Sequence, residues 1–312
     1  VKKLQIKLNL YLTQNKNPLM QSPKDMINPE FPLFIPSKGR YNTNLTANYL
    51  DIMKVPYRLV VEPQEYDLYL EKIKDKNKII ILDMTYKEKY NYCDEYGTTK
   101  GTGSGPARNF IWDTAVNEGY KYHWIMDDNI RSFRVMNKNA KIKVNNGKIF
   151  KSMEDFVLRY KNVYMAGPHY SFFHPRKLKR PPFYLNSRVY SCNLIRNDIP
   201  FRWRGRFNED TILSLDILKA GYCTILFNMF LQEKMNTMTV KGGNEEIYAE
   251  GTLEKSRMLC REHPEYSTLT RKYNRWHHHV NYKVFTEKNK LVRKYPKEEI
   301  KKTVEFNLKA RS

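Results

Sequence analysis

Short apolar runs alternate with helical segments along the first part of the chain, and this alternation constrains the fold more than any other feature. The runs at 31–36, 57–61 and 79–82 have the length and composition of buried strands. Between them, residues 44–53 and 65–73 carry apolar side chains at helical spacing. Strands separated by helices pair in parallel, because each helix returns the chain to the same end of the sheet. The sequence therefore predicts an α/β fold with a mainly parallel sheet and flanking helices.

The same alternation continues further along the chain. A glycine-rich segment at 101–105 leads into a helix that we expect to begin at Pro106, since proline has no N–H to leave unpaired in a first helical turn. Residues 120–126 are typical of the next strand. Residues 208–221 have the pattern of an amphipathic helix, and residues 222–228 that of another strand.

Shifts in composition predict three parts, the second of which carries an insertion. Residues 1–30 are polar, and we expect them to form an N-terminal arm. We expect an α/β domain over 31–250, with a Lys- and Asn-rich insertion at 130–160 and a hairpin turn at the Asn-Asn-Gly of 145–147. Residues 251–312 are predicted to form a basic, mostly helical C-terminal extension.

The charge balance and the cysteines indicate which type of partner and which cellular compartment to expect. The 55 Lys and Arg exceed the 33 Asp and Glu, which gives a net charge of +22 and favours a polyanionic partner such as DNA. A generally Lys-rich composition is the alternative. The four cysteines form no C-x-x-C pair, and no 18-residue apolar stretch or signal-peptide core is present. We therefore expect a soluble, cytoplasmic protein with no membrane partner.

Acidic residues follow the strand that ends at Met126. In open α/β sheets, ligands bind beyond the carboxyl ends of the strands. Adjacent carboxylates such as Asp127 and Asp128 repel each other unless a cation lies between them, and a hard divalent ion bridging to a diphosphate suits such oxygen ligands. We predict Asp127 and Asp128 as donor-binding residues, and Asp128 and Asn129 as metal ligands. A solvated turn has the same composition.

A second acidic pair, Glu209 and Asp210, opens the predicted helix over 208–221. One of these carboxylates is expected to act as a general base that takes the proton of an acceptor hydroxyl. We favour Asp210 over Glu209, although the sequence does not decide which of them faces the pocket. Acidic residues in a first helical turn also complement the helix dipole, which is the structural alternative.

Two further segments have the features of anion-binding loops. The glycine-rich segment leads into a helix N-terminus, where N–H groups attract phosphate and where Arg108 and Asn109 are placed to contact a donor. The segment matches neither a Walker A motif nor a dinucleotide fingerprint. The basic loop after the first strand is expected to hold a nucleotide, although an ordinary exposed turn has the same composition. Its donor-binding residues are predicted to be Pro36, Ser37, Lys38 and Arg40.

A basic, aromatic segment covers residues 172–207, with nine Lys and Arg, one acidic residue and interleaved aromatic rings. Cations for phosphates and rings for stacking are what a protein needs to handle an unpaired or flipped base. A basic loop packed onto the core through its aromatic residues is the alternative. The predicted nucleic-acid contacts are Arg176, Lys177, Lys179, Arg180, Arg202, Trp203, Arg204 and Arg206.

Two motifs lie towards the C-terminus. The Lys-Gly-Gly-Asn of 241–244 is predicted to be a mobile loop that closes over donor or acceptor. The three consecutive histidines of 277–279 are too contiguous for a well-formed metal site. They are expected either to contact phosphate or to form a solvated face.

The order of these motifs resembles that of GT-A glycosyltransferases, especially the TET/JBP-associated family of bacteriophage and protist DNA glycosyltransferases. The motifs run I-P-S-K-G-R, G-S-G-P-A-R-N, W-I-M-D-D-N, F-N-E-D-T and K-G-G-N, and the likeness covers roughly residues 31–245. The resemblance implies a GT-A fold in which a D-x-D-like motif binds metal and donor diphosphate. That motif maps onto Asp127, Asp128 and Asn129, with Asn in its third position, and the acidic pair maps onto Glu209 and Asp210.

The resemblance also implies the substrates. The donor is expected to be a UDP-sugar, usually UDP-glucose, used with Mn²⁺ or Mg²⁺. The acceptor is expected to be 5-hydroxymethylcytosine or 5-hydroxymethyluracil in DNA, and the location the cytoplasm of an infected bacterial host. With Asp210 as the base, the reaction is expected to be inverting. The rival hypotheses are transfer to a polysaccharide or protein, a metal-dependent nuclease, and a non-catalytic DNA-binding protein.

Overall fold

The computed structural model describes residues 27–176, 180–235 and 253–295. The strands of its main sheet are β1 (Leu33–Pro36), β2 (Arg58–Val61), β3 (Ile79–Ile81), β4 (Tyr122–Met126), β5 (Ile130–Asn137), β6 (Ala140–Lys143), β7 (Val163–Tyr170), β8 (Phe183–Leu185), β9 (Cys192–Arg196) and β10 (Cys223–Lys234). A separate hairpin consists of β11 (Ser267–Lys272) and β12 (Arg275–Val280).

The described helices lie between these strands. They are α1 (Leu45–Met53), α2 (Tyr66–Ile73), α3 (Thr85–Lys89), α4 (Gly105–Asn117), α5 (Lys148–Val157), α6 (Glu209–Lys219), α7 (Leu253–Glu262) and α8 (Lys283–Lys288). Short 3-10 turns occur at Pro63–Glu65, Lys76–Lys78 and Gly97–Thr99.

Hydrogen bonding orders the main sheet as β3-β2-β1-β4-β9-β7-β10-β5-β6, with β8 paired to β10. The four strands β3, β2, β1 and β4 are parallel, as are β7 and β10. The predicted α/β fold, a largely parallel sheet flanked by helices, is confirmed. The sequence pattern did not reveal β9, which is antiparallel to both β4 and β7. The parallel strands bring the ends of β1, β2 and β4 to one edge of the sheet.

Helices cover both faces of the sheet. Successive residues of β1 point to opposite faces, so that Leu33 and Ile35 belong to a core cluster with side chains of α1 and α5. Phe34 belongs to a second cluster with side chains of α4 and α6. Because both faces of the sheet are buried, the parallel strands have continuous apolar sequences rather than alternating polar and apolar residues.

The segment predicted as an insertion contributes to the main sheet, because β5 pairs with β10 and β6 pairs with β5. The prediction of a hairpin turn at 145–147 is wrong. The chain turns at Lys138 and Asn139, which both have positive φ, as a tight two-residue turn requires. In the predicted position, Asn146 Oδ1 instead accepts a hydrogen bond from Lys148 N at the start of α5.

The C-terminal segment combines helices α7 and α8 with the hairpin of β11 and β12, where the sequence pattern indicated mostly helix. The hairpin turn uses Tyr273 and Asn274, again with positive φ. The predicted N-terminal arm lies mostly outside the described residues, and the loop 241–244 lies entirely outside them. No helix in the described part of the chain is long and apolar enough to cross a membrane.

Gly105 opens α4 directly against the ring of Tyr90, which generates a testable prediction. A Cβ atom at this position would lie 2.0 Å from Tyr90 Oη and 2.2 Å from its Cζ. Tyr90 is buried and donates a hydrogen bond to Gly205 O at 3.0 Å, so it has little room to move. We expect Gly105→Ala to lower the free energy of unfolding by about 1–3 kcal/mol, as overpacking does, measured by urea denaturation.

Val116→Ala is the matched control, since Val116 is exposed on the same helix. We expect the control to change the free energy of unfolding by less than about 0.5 kcal/mol. Equal stability of the two variants would contradict the close packing of Gly105.

Candidate active site

A cleft of about 330 Å³ lies at the edge of the sheet where β1, β2 and β4 end. It is also lined by the first turns of α4 and α6 and by the glycine-bearing segment before α4. The structure brings together in this cleft almost all of the predicted donor, metal and catalytic residues. These residues are Pro36, Ser37, Lys38, Arg40, Arg108, Asp127, Asp128, Asn129, Glu209 and Asp210.

The guanidinium of Arg108 lies at the centre of the cleft wall. Its NH2 donates to Asp127 Oδ1 at 2.6 Å and its NH1 donates to Asp210 Oδ1 at 2.7 Å. The side chain is 2% exposed and lies over the ring of Trp203. Burial would lower the pKa of Arg108, but Asp210 and Asp127 outweigh burial and raise it above its ordinary value. Arg108 is therefore permanently charged and joins α4 to the loop after β4 and to α6.

Asp127 is held by two cations. Its second oxygen, Oδ2, accepts from Lys234 Nζ at 2.5 Å, and Lys234 also donates to Ser191 Oγ at 3.0 Å. Desolvation would raise the pKa of Asp127, but Lys234 and Arg108 lower it well below its usual range. Asp127 is therefore ionised near neutral pH.

Asp128 is tied to the loop that follows β1. Its Oδ2 accepts from Ser37 Oγ at 2.7 Å, and its Oδ1 accepts from Arg40 NH1. Ser37 Oγ also lies 2.7 Å from Tyr69 Oη, which fixes the hydroxyl from the other side. Burial raises the pKa of Asp128, and Arg40 and Ser37 offset part of that increase. The loops after β1 and β4 thus form one connected surface.

Glu209 and Asp210 both face the cleft from the first turn of α6. Within the described residues, Asp210 accepts a side-chain hydrogen bond through Oδ1 only, so its Oδ2 is available to an incoming hydroxyl. Glu209 Oε1 accepts from Ser104 Oγ at 3.4 Å and lies 3.9 Å from Arg108 NH2. Burial raises the pKa of Glu209, and Arg108 offsets part of that increase.

The carboxylates do not fit the divalent ion that the resemblance implies. An ion that bridges a protein to a diphosphate is held by one or two carboxylates, and these must be free to turn towards it. All four carboxylate oxygens of Asp127 and Asp128 already accept from protein donors. Asn129 Oδ1 is buried without a hydrogen-bond partner in the described chain, but one amide oxygen does not make a metal site. Across 27–176, 180–235 and 253–295, no group of three acidic, His or Cys side chains is arranged to hold a metal.

Asn109, which was predicted to bind donor, does not line the cleft. Both polar atoms of its side-chain amide bond to the backbone of Trp203, each at 2.9 Å. Asn109 therefore fixes the segment before α6 onto α4, and the structure does not support a donor contact.

The predicted nucleic-acid contacts at 202–206 differ in burial, because Trp203 and Arg206 are buried whereas the side chain of Arg202 is 39% exposed. Trp203 is 1% exposed in the core, and the side chains of Arg202, Arg204 and Arg206 form ion pairs within the protein. The structure therefore does not support Trp203 and Arg206 as contacts to DNA, whereas Arg202 and Arg204 remain predicted contacts. The acidic partners of the three arginines are Asp113, Asp216, Glu262 and Asp94.

The remaining predicted contacts precede β8 in the chain. Arg176 is exposed, and Arg180 donates to Tyr184 Oη at 2.7 Å. Lys177 and Lys179 lie outside the described residues.

Several cleft residues are not among the site residues predicted from the sequence. Lys234 ends β10, and Arg188 precedes β9 within the basic segment 172–207. Tyr170, Ser191 and Lys255 complete this side of the cleft. The sequence signal for Lys234 is weak, because its position depends on how far β10 extends.

A comparison with family models identifies the class of protein to which this fold and cleft belong, the glycosyltransferases. The family described as TET-Associated Glycosyltransferase matches residues 31–243. Because this match spans more than half of the sequence, the chain belongs to the TET-associated glycosyltransferase family, and the resemblance drawn from its motifs is confirmed. No curated protein matched the chain.

The Arg108 network predicts a large loss of stability when its cation is removed. Arg108→Met would leave Asp127 and Asp210 partly buried without their shared cation. We expect the free energy of unfolding to fall by about 3–5 kcal/mol, as it does when one partner of a buried ion pair is removed. Urea denaturation followed by circular dichroism measures this change.

Arg257→Met is the matched control, because Arg257 is 53% exposed and its ion pair with Glu254 lies on the surface of α7. We expect a change of less than about 1 kcal/mol for this exposed pair. A similar loss in both variants would show that Arg108 does not hold the cleft together.

Proposed function

We propose that the protein transfers a sugar, with glucose as the first choice, from a UDP-sugar to a hydroxymethylated pyrimidine in DNA. The observation that carries this proposal is the position of Arg108, which links Asp127 on the donor side of the cleft to Asp210 on α6. Membership of a TET-associated family and the net charge of +22 support a DNA acceptor. The resemblance favours 5-hydroxymethylcytosine or 5-hydroxymethyluracil as the modified base.

The cleft has the charge that a nucleoside diphosphate requires. Its lining contains seven Lys and Arg side chains and five Asp and Glu side chains, an excess of two positive charges. Preorganised cations stabilise negative charge as it develops on a departing diphosphate. The cations are Lys38, Arg40, Lys87, Arg108, Arg188, Lys234 and Lys255.

The donor nucleotide lies, in this proposal, over the ends of β1, β2 and β4. Arg40 and Lys234 contact its diphosphate, and the backbone of the glycine-bearing segment before α4 supplies N–H donors. Asp127 and Asp128 then act by orienting these cations, since each carboxylate holds one of them in the free protein. No step requires a metal ion.

The transfer step uses Asp210 as the general base. Its Oδ2 takes the proton of the hydroxymethyl group as that oxygen attacks the anomeric carbon of the sugar. The bond from the anomeric carbon to the UDP oxygen breaks, and UDP leaves with the electron pair. Arg108 holds the other oxygen of Asp210 and fixes the direction of the carboxylate. A single displacement of this kind inverts the anomeric configuration.

The proposal predicts loss of transfer when Asp210 is changed to Asn. We expect Asp210→Asn to lower kcat by about 10²–10⁴, because the amide cannot accept the proton. Hydroxymethylated DNA is incubated with a panel of UDP-sugars, and the released nucleosides are identified by mass spectrometry. Asp155→Asn is the control, because Asp155 forms an exposed pair with Lys151 on α5 and is expected to leave kcat unchanged.

Three outcomes would contradict parts of this proposal. Full activity of Asp210→Asn, or retention of the anomeric configuration in the product, would exclude Asp210 as the base of a single displacement. Transfer to a polysaccharide or protein, with none to DNA, would overturn the acceptor.

The misfit between the carboxylates and a divalent ion predicts transfer without metal. We expect the rate to be the same in EDTA as in Mn²⁺, because Arg40, Arg108 and Lys234 supply the positive charge. Lys234→Met is expected to lower kcat by about 10²–10³ in both conditions, as loss of one transition-state donor does. Lys78→Met is the control, since Lys78 pairs with Asp51 on the surface. Loss of transfer in EDTA with recovery in Mn²⁺ would overturn this expectation.

A further inference from the structure

A second cavity, of about 540 Å³, adjoins the cleft on the side of the C-terminal segment. Arg188, Thr211 and Lys255 line both spaces, so the two lie side by side. The rest of its lining belongs to α7, β12 and the residues after β12, beyond the segment 31–243 matched by the family. Those residues are Ser256, Trp276, His277, His278, His279, Val280 and Tyr282.

The C-terminal segment is fixed to the helix that carries Asp210. Asn208, which precedes α6, donates through Nδ2 to Lys255 O at 2.6 Å, and Asn186 donates to Phe285 O at 2.9 Å. An apolar cluster joins the same elements, so the second cavity has a defined position relative to the base. The cluster consists of Ile212, Leu215, Leu218, Leu259 and Phe285.

The polar lining of the cavity is suited to an anionic ligand with hydrogen-bonding edges. Arg188 lies over the ring of Tyr190 and donates to Thr211 Oγ1 at 3.4 Å, at the junction with the cleft. Within the described chain, His277 Nε2, His278 Nδ1 and Tyr282 Oη are buried without hydrogen-bond partners. Buried polar atoms in proteins are normally paired, so a ligand in the cavity would complete them.

The hairpin beside the cavity carries cations and aromatic rings. Trp276 is 38% exposed, and Arg271 lies over its ring. Residues 267–280 include Arg271, Lys272 and Arg275 and no acidic residue. Aromatic rings that stack on bases, next to cations that hold phosphates, are characteristic of sites for single-stranded nucleic acid. A neutral glycan would not make use of these cations.

We propose that this cavity, here called the acceptor subsite, binds the unstacked DNA strand next to the base that receives the sugar. A base stacks on Trp276, while Arg188 and Lys255 contact a backbone phosphate at the entrance to the cleft. This inference rests on the proposed DNA acceptor and deepens it, because it assigns acceptor recognition to Trp276 and Lys255, outside the family match, together with Arg188 inside it. The three consecutive histidines lie along the edge of this subsite.

The titration state of His278 is consistent with this role. Burial, together with the neighbouring cations Arg188 and Lys255, lowers the pKa of His278 to about 4. His278 is therefore neutral near pH 7, and it offers hydrogen bonds to a base edge without adding charge.

The test compares Trp276→Ala with Tyr273→Ala, a matched control at the hairpin tip that is 94% exposed and lines neither cavity. KM values for a hydroxymethylated oligonucleotide and for the UDP-sugar are measured with each variant. We expect Trp276→Ala to raise the KM for the oligonucleotide about tenfold, as loss of one stacking ring does, and to leave the KM for the UDP-sugar unchanged. Tyr273→Ala is expected to change neither value.

Trp276→Phe separates stacking from folding, because it keeps an aromatic ring at the same position. We expect this variant to restore most of the affinity lost in Trp276→Ala. Equal oligonucleotide KM values for Trp276→Ala and Tyr273→Ala, or no rescue by Phe, would overturn the acceptor subsite.

Fluorescence anisotropy with a labelled hydroxymethylated oligonucleotide distinguishes this inference from the proposed function. The protein is expected to bind the probe without UDP-sugar, and Trp276→Ala is expected to weaken binding about tenfold. Weaker binding by Trp276→Ala, in a protein that transfers no sugar to DNA, would support the subsite and overturn the proposed function. Transfer to DNA with unchanged binding by Trp276→Ala would overturn the subsite and leave the proposed function standing.

Discussion

The shared ion pairs of Arg108 are the interaction on which the rest of the cleft depends. One guanidinium joins the first turn of α4 to Asp127 after β4 and to Asp210 on α6. A buried cation of this kind is stable only with its carboxylates, and the carboxylates are equally dependent on it. The geometry and the charge of the cleft are therefore set together, and the candidate base lies beside the donor-side acid because both bind the same side chain.

The same ion pairs bear on the role of the acidic motif after β4. In the free protein Asp127 holds Lys234 and Arg108, and Asp128 holds Arg40. A diphosphate entering the cleft would compete with these carboxylates for the same cations, and each cation would exchange part of one ion pair for another. In the proposed function, the acidic residues act by positioning cations for the leaving group. That role would allow an Asp-Asp-Asn sequence to serve a transferase without binding a metal ion directly.

The sequence predicted which residues meet where β1 and β4 end, because local rules determine it. Apolar strands that pair in parallel must end at a common edge, so Ser37, Arg40 and Asp128 could be placed together from their positions after two strands. The inward-facing arginines could not be predicted in the same way. From the local sequence, Arg206 would be interpreted as a surface cation. Its partner Asp94, however, lies 112 residues away along the chain. Lys234 was missed for a related reason, since it enters the cleft through the extension of β10 beyond the predicted strand.

The C-terminal segment is attached by a different kind of contact from that which builds the cleft. It packs on α6 through apolar side chains and bonds to it through backbone carbonyls, whereas the cleft is held by Arg108 and its carboxylates. A substitution on the hairpin, such as one at Trp276, therefore leaves the ion pairs of the cleft intact. If the hairpin contacts the acceptor strand, acceptor preference can change between related proteins through the hairpin alone. The residues of the cleft, including Asp210, then stay the same.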